Sequence, residues 1–340
     1  MTLAGTVAVT CALAIPQVSS AAPAHHGASP APHSAAATTA TTPTFVHLPA
    51  DQAAHPGTEI EWWYTVGHLY ARGHEYGYEV QLTSSGMAQL AITDVTSNKY
   101  YTQTLQYKDG EYSVSSKKLD VRLPDATLSG PMNDMHLTAT LPEGHLDLRL
   151  AAKGPAMYNN GTGLFPFLKG SSYYYSLPNL QTSGTLTLGG KTTKVTGQSW
   201  LDRQWGNWDF TQLNKWTWMP LQLKNGEYLN LWDLYDKQGE ERWATVLHKD
   251  GSESIVSVKP VAKHATNFET SPTSGKRYAG RWTVEIPSLK ATLTVTATPT
   301  LQEIQGPGGG PNEATATVKG TYQGKPVTGR AYVEQFGNWK

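Results

Sequence analysis

Residues 195–208 read VTGQSWLDRQWGNW, and residues 327–339 read VTGRAYVEQFGNW. The two stretches align from VTG to GNW if the first copy holds one extra residue, near Arg203. Their openings also correspond, because WWYTVGHLYARGHEY at 62–76 resembles WTWMPLQLKNGEY at 216–228 after a gap of two residues. Each copy is then about 130–150 residues long, an ordinary domain size. Internal repetition of this kind indicates two similar units in tandem.

From residue 59 onward, short runs of Val, Thr, Tyr, Trp and Leu alternate with polar residues. Examples are YGYEVQL, GTLTLGG, EYLNLWDLYD and KATLTVTAT, which Gly, Asn, Asp and Pro separate. Alternation with a period of two between turn residues is typical of antiparallel strands. The sequence therefore predicts an all-β protein of two antiparallel β-barrels, at 51–208 and 209–340. A barrel of this size either packs solid or holds one small ligand.

The charge and cysteine content excludes several functions. The 340 residues include 27 basic and 27 acidic side chains, so the formal net charge is zero. Such a chain lacks the positive surface that binds phosphate backbones, and we expect no nucleic-acid partner. Because Cys11 is the single cysteine, neither an intramolecular disulfide nor a cysteine-based zinc site can form. The sequence predicts no metal and no cofactor.

The first fifty residues are predicted to lie outside the barrels. Residues 3–15 are apolar or small, and Ala22 and Ala24 complete an A-x-A pattern. Together these features are typical of a secretory signal peptide over 1–24, whose apolar run is too short to cross a bilayer. Residues 25–50 are mainly Ala, Thr, Pro and His and are expected to form a disordered linker. We therefore expect a secreted or cell-envelope protein without a transmembrane segment.

Tryptophan outnumbers phenylalanine 11 to 6, and the tryptophans are clustered. One cluster lies in the opening strand of the first copy, and another lies between residues 200 and 218, at the junction of the copies. These side chains either line a pocket for an elongated apolar ligand or form ordinary core and inter-domain packing. The candidate ligand-binding residues are Trp62, Trp63, Tyr64, Tyr174, Trp200, Trp205, Trp208, Trp218 and Trp232.

Charged residues within the aromatic clusters are the candidates for catalysis, because a buried charge needs a partner. They are Asp202, Arg203, Asp233, Glu61 and His68. Asp202 and Arg203 are neighbours on one strand and should face opposite sides, unless a β-bulge at the extra residue re-aims one of them. The second copy has Glu334 in place of Asp202 and nothing in place of Arg203. A structural salt bridge across the domain junction is the alternative to a site.

Several motifs in the same order resemble the AttH-like and carotenoid 1,2-hydratase family over residues 50–340. They are GTEIEWWYTVGHLY (57–70), AQLAITDVTSNKYY (88–101), SSYYYSLPNLQTSGTLTL (171–188) and the two stretches quoted first. The resemblance implies two lipocalin-like barrels in tandem. It also implies relatives that add water to isoprenoid double bonds, catalyse pericyclic cyclisations or are named as secreted hydrolases.

The chain departs from the hydratase pattern at two positions that the resemblance links to catalysis. Where the hydratases have His after the Asp of W-x-D-x-x-WG, this chain has Arg203, which cannot donate a proton as His can. The Tyr-x-Asp pair of the hydratases has its nearest match in Leu231-Trp232-Asp233, which lacks the Tyr. Both departures count against hydratase chemistry.

Three functions remain open. The first is a secreted lipocalin-like protein that binds an apolar or amphipathic, isoprenoid- or lipid-like molecule in an aromatic pocket near the domain junction. The second is a hydratase, lyase or hydrolase with an isoprenoid-like or ester substrate in that pocket. There, Asp202 or Asp233 would be a general acid with a pKa raised by burial, Arg203 would orient the acid or bind substrate, and Glu61 and His68 would be alternatives. The third is a scaffold at the cell envelope. The oligomeric state stays open.

Overall fold

The computed structural model describes residues 44–306, 310–337 and 339. The predicted signal peptide and most of the predicted linker lie outside these residues. The fold is nearly all β and consists of two curled antiparallel half-barrel sheets, so the predicted fold class is confirmed. No helix within the described ranges is long and apolar enough to cross a membrane.

The first sheet contains thirteen strands, all from the first copy. They are β1 (Ile60–Ala71), β2 (His74–Thr83), β3 (Met87–Asp94), β4 (Lys99–Gln106), β5 (Ser113–Val114), β6 (Asp120–Leu123), β7 (Ala126–Ser129), β8 (Met135–Leu141), β9 (Gly144–Ala152), β10 (Met157–Tyr158), β11 (Leu164–Phe167), β12 (Gly170–Leu188) and β13 (Lys191–Asn207).

The second sheet contains nine strands from the second copy, and two further strands form a small separate sheet. The nine are β14 (Leu213–Leu223), β15 (Tyr228–Asp236), β16 (Glu240–Leu247), β17 (Glu253–Ser257), β18 (Ala265–Thr266), β21 (Arg281–Ile286), β22 (Ala291–Ala297), β23 (Asn312–Tyr322) and β24 (Lys325–Phe336). The separate pair is β19 (Glu269–Thr270) and β20 (Arg277–Tyr278). Short 3₁₀ helices cover Ala50–Gln52, Asn159–Gly161, Phe210–Gln212, Ala262–His264 and Pro287–Leu289.

Each large sheet pairs its first strand with its last. The strand order is β4-β3-β2-β1-β13-β12-β9-β8-β7-β6-β5 in the first sheet, where β10 and β11 also pair with β12, and β17-β16-β15-β14-β24-β23-β22-β21-β18 in the second. The two VTG stretches lie in the closing strands β13 and β24, and the two aromatic openings lie in β1 and β14. The sequence repeat is therefore a structural repeat.

Side chains alternate between two faces along β1, as expected for a strand. Trp63 and Leu69 pack into a core formed by the first copy alone. Tyr64 and Val66 pack into a cluster shared by both sheets, which we call the seam. The seam contains seven of the 11 tryptophans: Trp62, Trp200, Trp208, Trp216, Trp218, Trp232 and Trp243. The tryptophan excess of the sequence therefore lies mostly between the two sheets.

Candidate functional site

A cavity of about 340 Å³ opens into the seam and is lined by residues of both sheets. We call it the pocket. Its aromatic wall consists of Trp62, Tyr64, Tyr174, Phe210, Trp216, Trp218, Trp232 and Phe336. Polar groups interrupt this wall at Asp202, Glu334 and three glutamines, Gln81, Gln89 and Gln204. A mostly apolar cavity with a few convergent polar groups is the usual form of a small-molecule site.

The strand pairing places two of the carboxyl groups that line the pocket at equivalent positions of the repeat. Asp202 on β13 lies opposite Tyr64 on β1, and Glu334 on β24 lies opposite Trp218 on β14. In both sheets a carboxyl group therefore stands beside an aromatic ring at the wall of the pocket.

Asp202 is buried and accepts hydrogen bonds from three side chains. Tyr174 donates to Oδ2 at 2.6 Å, while Ser176 and Trp200 donate to Oδ1 at 2.5 Å and 2.6 Å. Asn230 donates to the Tyr174 oxygen at 2.8 Å and so orients that hydroxyl toward Asp202. Burial raises the pKa of Asp202 to about 7, although the three donors oppose the rise by favouring the carboxylate.

Glu334 borders the pocket from the other sheet. Burial, with a further contribution from the charge of Asp202, raises its pKa to about 8. Its direct neighbour across β23 and β24 is Glu313, which accepts a hydrogen bond of 2.6 Å from the Tyr64 hydroxyl. Burial and the charges of Glu334 and Glu79 hold the pKa of Glu313 well above its usual range.

Glu79 on β2 completes this group of acids. It is fully buried, and no side chain within the described ranges donates a hydrogen bond to its carboxyl group. Burial and the charge of Glu334 raise the pKa of Glu79 well above its usual range, although the backbone N–H of Gln81 acts to lower it. Because a buried carboxylate without a cationic partner is costly, the protein holds Glu79 in its neutral form.

We expect Glu79→Gln to flatten the pH dependence of stability. Folded protein keeps a proton on Glu79 that the unfolded chain releases above about pH 4.5. The native state then binds more protons, so the unfolding free energy falls as pH rises, by about 1.4 kcal/mol per pH unit for one such group. Glutamine does not titrate and removes this contribution.

Urea unfolding at about pH 5 and about pH 8 measures this difference. Glu143→Gln is the control, because Glu143 is an exposed carboxyl group in the turn between β8 and β9. Equal pH slopes for Glu79→Gln and the parent protein would contradict a neutral Glu79.

Most of the sequence-predicted aromatic residues gather at the seam. Trp62, Tyr64, Tyr174, Trp218 and Trp232 line the pocket. Trp200 and Trp208 lie outside its lining but within the seam, Trp200 as a donor to Asp202. Trp208 packs edge-on against Trp62 with ring centroids 5.4 Å apart.

Arg203 lies on the opposite face of β13 from Asp202. Its guanidinium donates to Glu61 at 2.5 Å and to the carbonyl of Ala53 at 2.6 Å, and it lies 4.0 Å from the Trp63 ring centroid. Burial acts to raise the pKa of Glu61, but the His55 hydrogen bond and the Arg203 charge lower it. The expectation that Arg203 orients Asp202 or binds substrate is therefore corrected: it is a buried ion-pair partner.

Trp63 and Trp205 also lie away from the pocket lining. Trp63 packs in the core of the first copy and donates its indole N–H to the carbonyl of Gln52 at 3.0 Å. The Trp205 ring is stacked on His55 at 4.1 Å and on Tyr173 at 5.4 Å. Both rings help to cover Arg203, so their predicted role as ligand contacts is replaced by a packing role.

Asp233 and His68 contact backbone groups away from the pocket. Asp233 accepts the backbone N–H groups of Val261 and Ala262, both at 3.0 Å, and burial raises its pKa to about 6. A ring nitrogen of His68 lies 3.0 Å from the carbonyl oxygen of Ala331. Neither side chain lines the pocket. Neither therefore makes the contact with the pocket that its predicted catalytic role requires.

Glu79, Glu313 and Trp216 are not among the residues predicted from the sequence, and Glu334 is predicted only as the counterpart of Asp202. The repeat itself contained the signal for Glu334, since it equates the two carboxyl groups. Only the packing of β2 and β23 behind the pocket brings Glu79 and Glu313 near it, and no sequence pattern indicates that packing. Within the described ranges, no group of three or more His, Cys, Asp or Glu residues is arranged to hold a metal ion.

Comparisons with known proteins agree with the fold. A family model described as AttH-like matches residues 39–338. Dehydratase asqC of Emericella nidulans is 29% identical over 264 residues, covering 72% of this chain and 74% of that protein. Kievitone hydratase of Fusarium solani subsp. phaseoli is 24% identical over 262 residues, covering 70% and 72%. The crystal structure of a putative AttH from Nitrosomonas europaea has a TM-score of 0.76 at 23% identity, covering 86% of this chain and 97% of that one.

Proposed function

Because the chain belongs to the AttH-like family, we propose that its pocket binds an apolar or amphipathic small molecule and adds water to it or removes water from it. The names of two relatives, a dehydratase and a hydratase, favour this reaction type. The aromatic wall supplies the affinity for an apolar frame, and the interspersed amides offer hydrogen bonds to its polar groups.

The observation that carries the proposal is a pair of carboxyl groups at the pocket wall, the buried Asp202 and the half-buried Glu334. Asp202 has a pKa of about 7 and is surrounded by donors, whereas Glu334 has a pKa of about 8. Three donors favour the Asp202 carboxylate, and the charge of Asp202 favours the protonated form of Glu334, so Asp202 ionises before Glu334. Two groups whose environments separate their pKa values in this way suit a general base and a general acid.

The reaction follows from these protonation states. In dehydration, the Asp202 carboxylate accepts a proton from a substrate carbon while Glu334 donates its proton to the hydroxyl on the adjacent carbon. The C–H and C–O bonds break, a C=C bond forms, and water leaves. Asp202 then releases its proton to solvent and Glu334 takes one up, which restores both groups. Hydration is the same sequence in reverse, with Glu334 as the base that activates water and Asp202 as the acid.

A binding function without chemistry is the second candidate. The size of the pocket and its aromatic wall favour it, since both are sufficient to hold a small apolar molecule as a lipocalin-like protein does. The two candidates differ in one measurable respect, the transfer of water.

Incubation with kievitone in ¹⁸O-labelled water, followed by mass spectrometry, tests the proposal. Kievitone is chosen because a relative is named for it; prenylated phenols and aromatic β-hydroxy ketones complete the panel. We expect at least one compound to gain or lose one water, with ¹⁸O in any hydrated product and no change in boiled protein. Binding of panel members, seen as tryptophan quenching, without any water transfer would overturn the hydro-lyase proposal in favour of binding alone.

A further inference from the structure

The ionisable groups that line the pocket are acidic. Four carboxyl groups line it, and no Lys, Arg or His does so among the residues that the structure describes. Glu59 is exposed, and Glu61 is neutralised by Arg203 at 2.5 Å. Asp202 and Glu334 therefore determine the charge that a bound molecule meets inside the pocket.

The acids behind the pocket supply no compensating cation. Glu79 and Glu313 lie there, both buried, and their raised pKa values keep them uncharged. A positive charge placed in the pocket would thus be attracted by the ionised Asp202, whereas a negative charge would be repelled.

The aromatic wall also favours a positively charged ligand. The indole rings of Trp62, Trp216, Trp218 and Trp232 border the cavity, and the face of an indole attracts a cation through its quadrupole. Cages of aromatic rings are the usual surroundings of bound quaternary ammonium groups.

We propose that the pocket prefers ligands with an ammonium group on an apolar or aromatic frame and excludes anionic ligands. The ionised Asp202 balances the ligand charge, and the indole rings surround its alkyl groups. An anion would lose its hydration without gaining a positive partner. The inference rests on the proposed function for the identity of the ligand pocket, but it does not depend on water transfer.

Three probes of similar shape test the charge preference: benzyltrimethylammonium, neopentylbenzene and benzylsulfonate. Dissociation constants are measured by tryptophan fluorescence and calorimetry at about pH 8.5, where Asp202 and Glu334 are largely ionised. We expect the ammonium probe to bind at least about tenfold more tightly than the neutral one and the sulfonate to bind more weakly than either. Equal or tighter binding of the neutral probe or of the sulfonate, or no binding of any probe, overturns the proposal.

Two variants test whether the carboxyl groups cause the charge preference of the pocket. Glu334→Gln and, separately, Asp202→Asn should each reduce the ammonium-to-neutral affinity ratio at least threefold, by roughly the removal of one charge. Glu253→Gln is the matched control, since Glu253 is a largely buried carboxyl group outside the pocket that accepts the Tyr158 N–H. An unchanged ratio in both pocket variants overturns the proposal. Charge preference without gain or loss of water by any compound of the panel would leave this inference standing and the hydro-lyase proposal refuted.

Discussion

Asp202→Asn is expected to lower turnover by about a hundredfold to ten-thousandfold, the usual contribution of one general acid–base group. Asparagine preserves the size of the side chain but cannot take up a proton from a substrate carbon. The fold should tolerate it, because the Tyr174 and Ser176 hydroxyls, at 2.6 Å and 2.5 Å, can rotate to accept from an amide. The loss should appear in kcat, with little change in the affinity for a neutral ligand.

Asp233→Asn is the control for this prediction. Asp233 is also a buried aspartate with a raised pKa, but it accepts the backbone N–H groups of Val261 and Ala262 instead of lining the pocket. Asparagine retains an acceptor there, so turnover should stay near that of the parent. Equal losses in the two variants, or a change in Asp202→Asn of less than about threefold, would contradict the base role of Asp202.

The pH profile of dehydration gives an independent readout. Turnover should rise as Asp202 ionises, near its pKa of about 7, and fall as Glu334 loses its proton, near about 8. Since the two charges interact, the limbs report the pair as a whole. Glu334→Gln should remove the falling limb together with most of the activity.

The repeat made much of this fold predictable from sequence, because period-two patterns define strands and two matching ends define two matching sheets. It also placed Asp202 and Glu334 at equivalent positions. The repeat did not determine the exact register of the strands. Trp62 pairs with Gln204 and Trp216 pairs with Phe336, so Arg203 is equivalent to Gln335 and not to a gap.

This register accounts for the difference between the predicted and the observed position of Arg203. Pairing of β1 with β13 runs without a bulge from Ile60 to Tyr70, so Arg203 faces away from the pocket. Its counterpart Gln335 is also buried and bonds the backbone of Ala279, as Arg203 bonds Ala53. A sequence pattern identifies which residues share a face, but it does not show which of the two faces meets the other sheet.

Arg203→Met is expected to lower the unfolding free energy by about 3–5 kcal/mol, the cost of breaking a buried ion pair. The Arg203 side chain is fully buried and that of Glu61 is 2% exposed, so the variant leaves a carboxylate buried without its cation. It also leaves the Ala53 carbonyl without the donor at 2.6 Å. Urea unfolding with comparison of midpoints and slopes measures the loss.

Two further variants separate the ion pair from simple packing. Arg149→Met breaks an exposed pair, in which Arg149 lies 2.7 Å from Asp134, and should cost less than about 1 kcal/mol. Arg203→Met combined with Glu61→Gln should recover at least half of the loss, because the stranded charge is then removed. If Arg203→Met instead kept its stability and lost turnover, Arg203 would belong to the catalytic site, and the assignment of the chemistry to the seam face of β13 would be wrong.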